Sequence, residues 1–406
     1  MSVFADQPLT RAYNQPSMSR ATAFLLVSLL LGSPAYGQTT RVETIADQQA
    51  EKAKKLEPEG PSDGELIVRR VLLSPLLSGG GGAYPWFGSV FGGSGMAVGA
   101  GYLKRFEKSG SLNFLAGISI NNSQVLETRV VAPALFRDRL QIGAQARWTD
   151  AKGVSYYGVG PTTDREADFE YDYQPTEFST DATFKPVRWL SFGGGYSYVD
   201  LTTAVKDFDL AALPAPGIGR DLRYNVIRSE VAVDTRTSPG YSTRGGLYRV
   251  AWERHEERHD LPFSFDAHEY EVRQLVPLVR EQFVIAIRGL MTLTSSDPGN
   301  VVPVPLAPFL GSGSTLRGFP TRRFTDRNRV LVTGEYRWRP SRYLDMAIFV
   351  DSGQVAPDRH QFRLSDFETN YGIGARFHGP LFTALRVEYA RGREGRSIIF
   401  AGSQVF

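Results

Sequence analysis

From about residue 85 to the end of the chain one pattern recurs: runs of roughly 9 to 14 residues alternate apolar with polar or small side chains and then close in turn-forming residues. A period of two belongs to strands with two chemically different faces, whereas an amphipathic helix places its apolar residues three to four apart. The runs fall at 85–92, 96–106, 111–121, 125–135, 139–149, 169–184, 188–202, 222–235, 245–256, 264–277, 281–296, 328–339, 342–354, 368–378, 381–391 and 395–406, which makes sixteen. In VLVTGEYRWRP one parity carries Val330, Val332, Gly334, Tyr336 and Trp338, and the other Thr333, Glu335, Arg337 and Arg339. A soluble sandwich could alternate in the same way. Arginines and carboxylates repeat on the second face strand after strand, as a polar lumen requires, and this favours a membrane barrel.

The spacing agrees, because tilted strands of about 9 to 11 residues cross a bilayer. Short connections at EKSG, FRDR, KPVR, RTSPGYSTRG, LVRE, RPSR and HGPL interleave with longer ones near 153–168, 203–221, 297–327 and 355–367. That asymmetry fits tight periplasmic turns and long external loops. The expected fold is an all-β, antiparallel, sixteen-stranded transmembrane outer-membrane barrel over 85–406, with loop 297–327 folding into the lumen. Forty-one glycines, 18 tyrosines and 25 phenylalanines suit strands with aromatic girdles. Tyr156, Tyr157, Trp189 and Trp338 read as interface aromatics, with lumenal packing as the alternative for some of them. A final strand ending SIIFAGSQVF would be a hazard in water but can pair with the first strand when a barrel closes, so Phe400 and Phe406 form a C-terminal strand signal.

Arg11 and Arg20 precede the apolar run AFLLVSLLLG, with small residues at Ala35 and Gly37, so residues 1–37 read as a signal peptide cut before Gln38. The run is too short to span a bilayer, and no later stretch approaches 18 consecutive apolar residues. Residues 38–84 form a short polar periplasmic segment and linker ending in four glycines. The absence of cysteine excludes a disulfide framework and Cys-ligated metal. A net charge of +3, from 46 basic and 43 acidic residues, selects no nucleic-acid partner.

Catalytic signals do not assemble. His255–His259 spells HEERH, which binds zinc when a helix places both histidines on one face; here it ends an alternating strand, where residues four apart lie about 13 Å apart. No G-x-S-x-G occurs, and Asp207/Asp209 and Asp164/Glu166 lie in loops without a histidine. No enzyme activity, cofactor or metal is expected.

The run LGSGSTLRGFPTRRFTDRN, followed one strand later by FVDSG (Phe349–Gly353), resembles the BamA/TamA superfamily of bacterial outer-membrane surface antigens and barrel-assembly factors. The aromatic C-terminus and the turn DTRTSPGYSTRGGLY are also similar, so the likeness covers roughly 85–406. It implies that the sixth external loop folds back so that Arg317 meets Glu335 and Asp351 on the lumen wall, with Phe349 and Gly353 beside them. A guanidinium fork matches a carboxylate bidentately, which supports the same pairing on physical grounds. Gly318 would allow close backbone approach or positive φ, and Phe319 would fill an apolar pocket. The resemblance further implies a bacterial outer-membrane location and a role in outer-membrane protein assembly, insertion or translocation at a weak seam between first and last strands. The implied partners are outer-membrane lipids and lipopolysaccharide, the barrel-assembly machinery for its own insertion, and client polypeptides or an accessory periplasmic protein. The 47 residues from Gln38 to Tyr84 leave no room for the family's POTRA domains, which puts client delivery in doubt. The alternative is a POTRA-less passive pore or structural surface antigen.

Overall fold

A computed structural model of the chain describes residues 81–92, 94–107, 109–166, 169–205, 215–279, 281–341, 343–379 and 383–401. The signal peptide, nearly all of the polar segment that follows it, Asp207, Asp209 and Phe406 lie outside the described residues. The described chain is an antiparallel meander of sixteen strands. These are β1 (Gly82–Gly88), β2 (Ala97–Phe106), β3 (Gly110–Ser119), β4 (Gln124–Val131), β5 (Leu140–Tyr156), β6 (Phe169–Val187), β7 (Leu190–Val205), β8 (Asp221–Asp234), β9 (Gly245–Glu257), β10 (Phe265–Leu278) and β11 (Phe283–Ser296). After a long loop holding the two-residue strands β12 (Phe309–Leu310) and β13 (Phe324–Thr325), the wall resumes with β14 (Asn328–Ser341), β15 (Leu344–Ala356), β16 (Glu368–His378), β17 (Thr383–Gly392) and β18 (Gly395–Ala401). Each strand pairs with its neighbour in sequence, β11 with β14, and among the described residues no ladder joins β1 to β18.

The pleat separates the two chemistries. On β14 and β15, Val332, Tyr336, Ile348 and Val350 point out of the barrel, while Thr333, Glu335, Arg337 and Asp351 are buried inside. Outward side chains stay exposed in water because no protein covers them; lipid would satisfy them, and the paired ladders from β1 to β18 leave few backbone groups to be solvated there.

Two departures from the sequence reading have local causes. Strand β5 continues through 153–156, because Gly153 at φ 67° sits in a bulge that re-aims the strand. Val154 and Tyr156 then pack with Phe169, Tyr171, Ile218 and Val304. Tyr156 and Tyr157 are therefore buried rather than interfacial, whereas Trp189 is exposed, as an interface residue would be. The second departure is the β12–β13 hairpin inside loop 297–327, where Gly311 takes φ 94° and any side chain on it would meet the Pro320 carbonyl at 2.1 Å.

The loop itself supplies the apolar core. Val302 and Ala307 pack with Leu201, Leu222, Tyr224 and Phe265, while Leu310, Leu316, Phe319 and Phe324 pack with Leu290, Leu331 and Val355. Polar wall residues tie the loop down: Arg288 donates to the Ser314 carbonyl at 2.9 Å and Arg329 to the Phe309 carbonyl at 3.1 Å.

Candidate functional site

Loop 297–327 delivers Arg317 to the wall of β14, β15 and β17. Its Nε and Nη2 donate to the two oxygens of Asp351, each at 2.8 Å, in the bidentate geometry available to a guanidinium. Its backbone N–H reaches Asp351 Oδ2 at 3.3 Å. Nη1 donates to Glu335 Oε1 at 2.9 Å and to both oxygens of Glu388 at 3.1 Å. The flat face of the guanidinium lies 3.4 Å from the centroid of the Phe349 ring. Arg317 is 1% exposed. Burial opposes its charge, but Glu335 and Asp351 outweigh that, so its pKa is held above the ordinary arginine value.

The strand register builds this receptor. Pairing of Glu335 with Phe349, and of Thr333 with Asp351, puts both carboxylates on one inner face. Thr333 Oγ1 and Asn370 Nδ2 complete Asp351 at 3.0 and 2.8 Å. Arg337 donates to Glu335 at 2.8 Å, Arg376 to Glu335 at 2.7 Å and Glu388 at 3.0 Å, and Arg386 to Glu388 at 2.8 Å. Four guanidiniums thus share three carboxylates in a water-poor layer, where each is weakly screened. A second hydrogen bond from Arg386 to the Gly313 carbonyl, 2.9 Å long, holds the loop from its other side.

Glycine and aromatic positions are explained by contact. Gly318 does not adopt positive φ; instead a Cβ there would meet Gly392 N at 2.6 Å and Asn370 Cβ at 2.7 Å, so the loop backbone lies directly against the wall. Gly353 makes room in the same way for Leu310, which a Cβ would approach to 3.0 Å. Phe319 meets Phe324 edge-on at 5.2 Å within the loop's apolar cluster. Phe400, on β18, points outward and is 60% exposed.

A second arginine of the loop, Arg323, bridges the barrel mouth. It binds both oxygens of Glu394 in the β17–β18 turn at 2.7 and 2.8 Å, and the hydroxyl and carbonyl of Thr163 in the β5–β6 loop at 2.8 and 2.7 Å. Beside it the Gly160 N–H donates to the Thr325 carbonyl at 2.8 Å.

Sequence reasoning placed Glu335, Phe349, Asp351 and Gly353 on the wall; the structure brings the first three to the loop arginine, while Gly353 lies against Leu310 of the same loop. It missed Glu388, Arg376, Arg386 and the Arg323 bridge. The first three were within reach of the same parity argument, since Leu385, Val387 and Tyr389 alternate with Arg386 and Glu388 along β17, and Ala375 and Phe377 flank Arg376 on β16. The HEERH residues lie apart from this site: His255 is on strand β9, stacked on Phe265 at 4.4 Å, and His259 follows the strand end. Asp164 accepts from the Glu166 N–H at 3.0 Å and shapes an exposed turn.

Residues 99–396 match the Omp85 superfamily domain. The chain belongs to the Omp85 superfamily. No curated protein matches it. Among solved structures, this Omp85 barrel is similar to BamA from Haemophilus ducreyi lacking POTRA domains 1–3, with 16% identity, a TM-score of 0.58, and coverage of 79% of this chain and 69% of that one. It is also similar to CdiB from Acinetobacter baumannii, at 12% identity and a TM-score of 0.51 over 78% of this chain and 58% of that one. CdiB from Escherichia coli gives 10% identity and 0.54 over 78% and 61%. The chain spans about 60% of the length of the two CdiB structures. At these identities the likeness is one of fold.

Proposed function

We propose that this Omp85 barrel sits in the bacterial outer membrane and inserts or translocates polypeptides there, making and breaking no covalent bonds itself. In this reading loop 297–327 is an internal lid latched by Arg317, and the edge between β1 and β18 is the lateral passage. The observation that carries it is the buried attachment of Arg317 to Asp351, Glu335 and Glu388, which fills the lumen with the chain's own loop and disfavours a wide permanent channel. The terminal strands, without a shared ladder among the described residues, supply the lateral edge. Surrounding lipids and lipopolysaccharide contact the outward apolar face, and a client chain or an accessory periplasmic protein engages the rim.

The test uses cysteines placed in β1 and β18, which the natural chain lacks altogether. Proteoliposomes carrying the reduced protein should accelerate folding of an unfolded barrel client, and cross-linking the two strands should abolish the acceleration. A large, steady conductance with no effect on client folding would instead make the protein a passive pore.

A further inference from the structure

The β8–β9 turn, residues 235–244, reads TRTSPGYSTR and lies at the end of the barrel opposite loop 297–327. A hairpin turn ordinarily rests on its own two strands. This one reaches across to the ends of β14, β15, β16 and β17. The Tyr241 hydroxyl donates to Asp345 at the start of β15, at 3.0 Å to Oδ2 and 3.2 Å to Oδ1. Its ring stacks on His378 at the end of β16, with centroids 3.7 Å apart and planes 11° from parallel. The guanidinium of Arg339 on β14 also lies over the ring, 5.6 Å from its centroid. His378 Nε2 lies 3.1 Å from the same Asp345 oxygen, so the carboxylate holds the tyrosine and the histidine together. Thr383, the first residue of β17, donates its backbone N–H to the Gly240 carbonyl at 3.1 Å. Tyr241, Asp345 and His378 are all buried.

We propose that this turn is a second closure, a strap across the periplasmic mouth tied by Tyr241 to Asp345 and His378, working in series with the latched loop above it. The inference rests on the barrel reading, but not on polypeptide insertion. Several features make it more than packing. The contacts join the eighth and ninth wall strands to the twelfth through fifteenth, so the turn cuts a chord across the lumen. Its tie to β15 is a charge-assisted hydrogen bond from one side chain to a buried carboxylate, and a backbone hydrogen bond from Thr383 to Gly240 holds it to β17. Internal bonds keep the turn stiff, with Thr237 and Ser242 joined at 2.9 Å and Arg236 forked onto Asp234. A stiff turn whose hold on β15 and β16 runs through the single side chain of Tyr241 can loosen there as a unit.

Two closures in series make a definite prediction for ion conductance in planar bilayers. Arg317→Ala alone and Tyr241→Phe alone should each stay near the wild-type level, and the double variant should conduct several-fold more than the two single changes added together. Gly240→Cys with Thr383→Cys, placed in the double variant, uses two residues whose backbones are already joined by a hydrogen bond, which brings them within the range a disulfide requires. Oxidation should return conductance to the wild-type level and a reductant should restore it. The strap is overturned if Arg317→Ala alone already reaches the conductance of the double variant. It is equally overturned if the cysteine pair fails to cross-link, or cross-links without lowering conductance. Retained heat-modifiable gel mobility shows that each variant is still a barrel, so loss of that property would count against the barrel reading instead.

Discussion

Replacement of Arg317 by alanine removes the cation on which three wall carboxylates converge, and the consequences differ among them. Glu335 keeps Arg337 and Arg376, and Glu388 keeps Arg376 and Arg386. Asp351 keeps only the neutral donors Thr333 and Asn370, so it becomes a buried charge without a cationic partner. Removal of one member of a buried ion pair costs about 3–5 kcal/mol, most of it the stranded charge. At roughly 2–4 °C per kcal/mol for a large domain, the midpoint of the heat-modifiable gel transition should fall on the order of 10 °C. Arg317→Lys should recover only part, because an ammonium cannot fork onto Asp351 while also reaching Glu335 and Glu388. Asp351→Asn in the alanine background should restore several degrees by removing the stranded charge. The loss should persist between 0.1 and 1 M salt, since a buried pair is poorly screened. An alanine variant that melts and resists protease like the wild type would refute the latch, and so would an Asp351→Asn change that adds its own full penalty to that of alanine.

Other expected outcomes follow from the same contacts. Glu388→Gln strips a carboxylate from Arg317, Arg376 and Arg386 together and should cost about 3 kcal/mol by the same gel transition. Gly318→Ala forces a methyl into Gly392 and Asn370, so the loop should become protease-sensitive at a cost of about 1–3 kcal/mol, whereas Gly334→Ala, whose Cβ meets nothing within 4 Å, should be silent. Arg323→Ala breaks the bridge between Glu394 and Thr163 and should cost about 2 kcal/mol, with faster proteolysis at the β5–β6 loop and the β17–β18 turn while the Arg317 site stays intact.

The wall was legible because its code is local. A period of two, repeated with turn residues between, fixes strand number and facing without knowledge of any distant contact. The acidic partners of Arg317 were legible for a related reason: Glu335 and Asp351 share the inward parity of consecutive strands, and a one-residue slip would have sent them to lipid. Glu388 obeyed the same rule three strands on and was overlooked for want of applying it. The interior of loop 297–327 was not legible. Its path depends on apolar contacts with Leu222, Phe265 and Tyr171 contributed by strands remote in sequence, and on a left-handed Gly311 that looks like any other glycine in a serine-rich run. For Tyr156 and Tyr157 the lumenal alternative holds rather than the interface, and nothing nearby in the chain chooses between them, since the lid that covers them is remote in sequence.

Arg317 and Arg323 are six positions apart, and both hold the hairpin that carries the terminal strand, the first through Glu388 partway along β17 and the second through Glu394 at its tip. So short a tether has little slack, and the lid and the barrel's last edge are geared to each other: neither can travel far unless the other yields. A molecule that seized the outer rim around Thr163 and Glu394 would therefore act as a brake on the terminal strand without ever touching it.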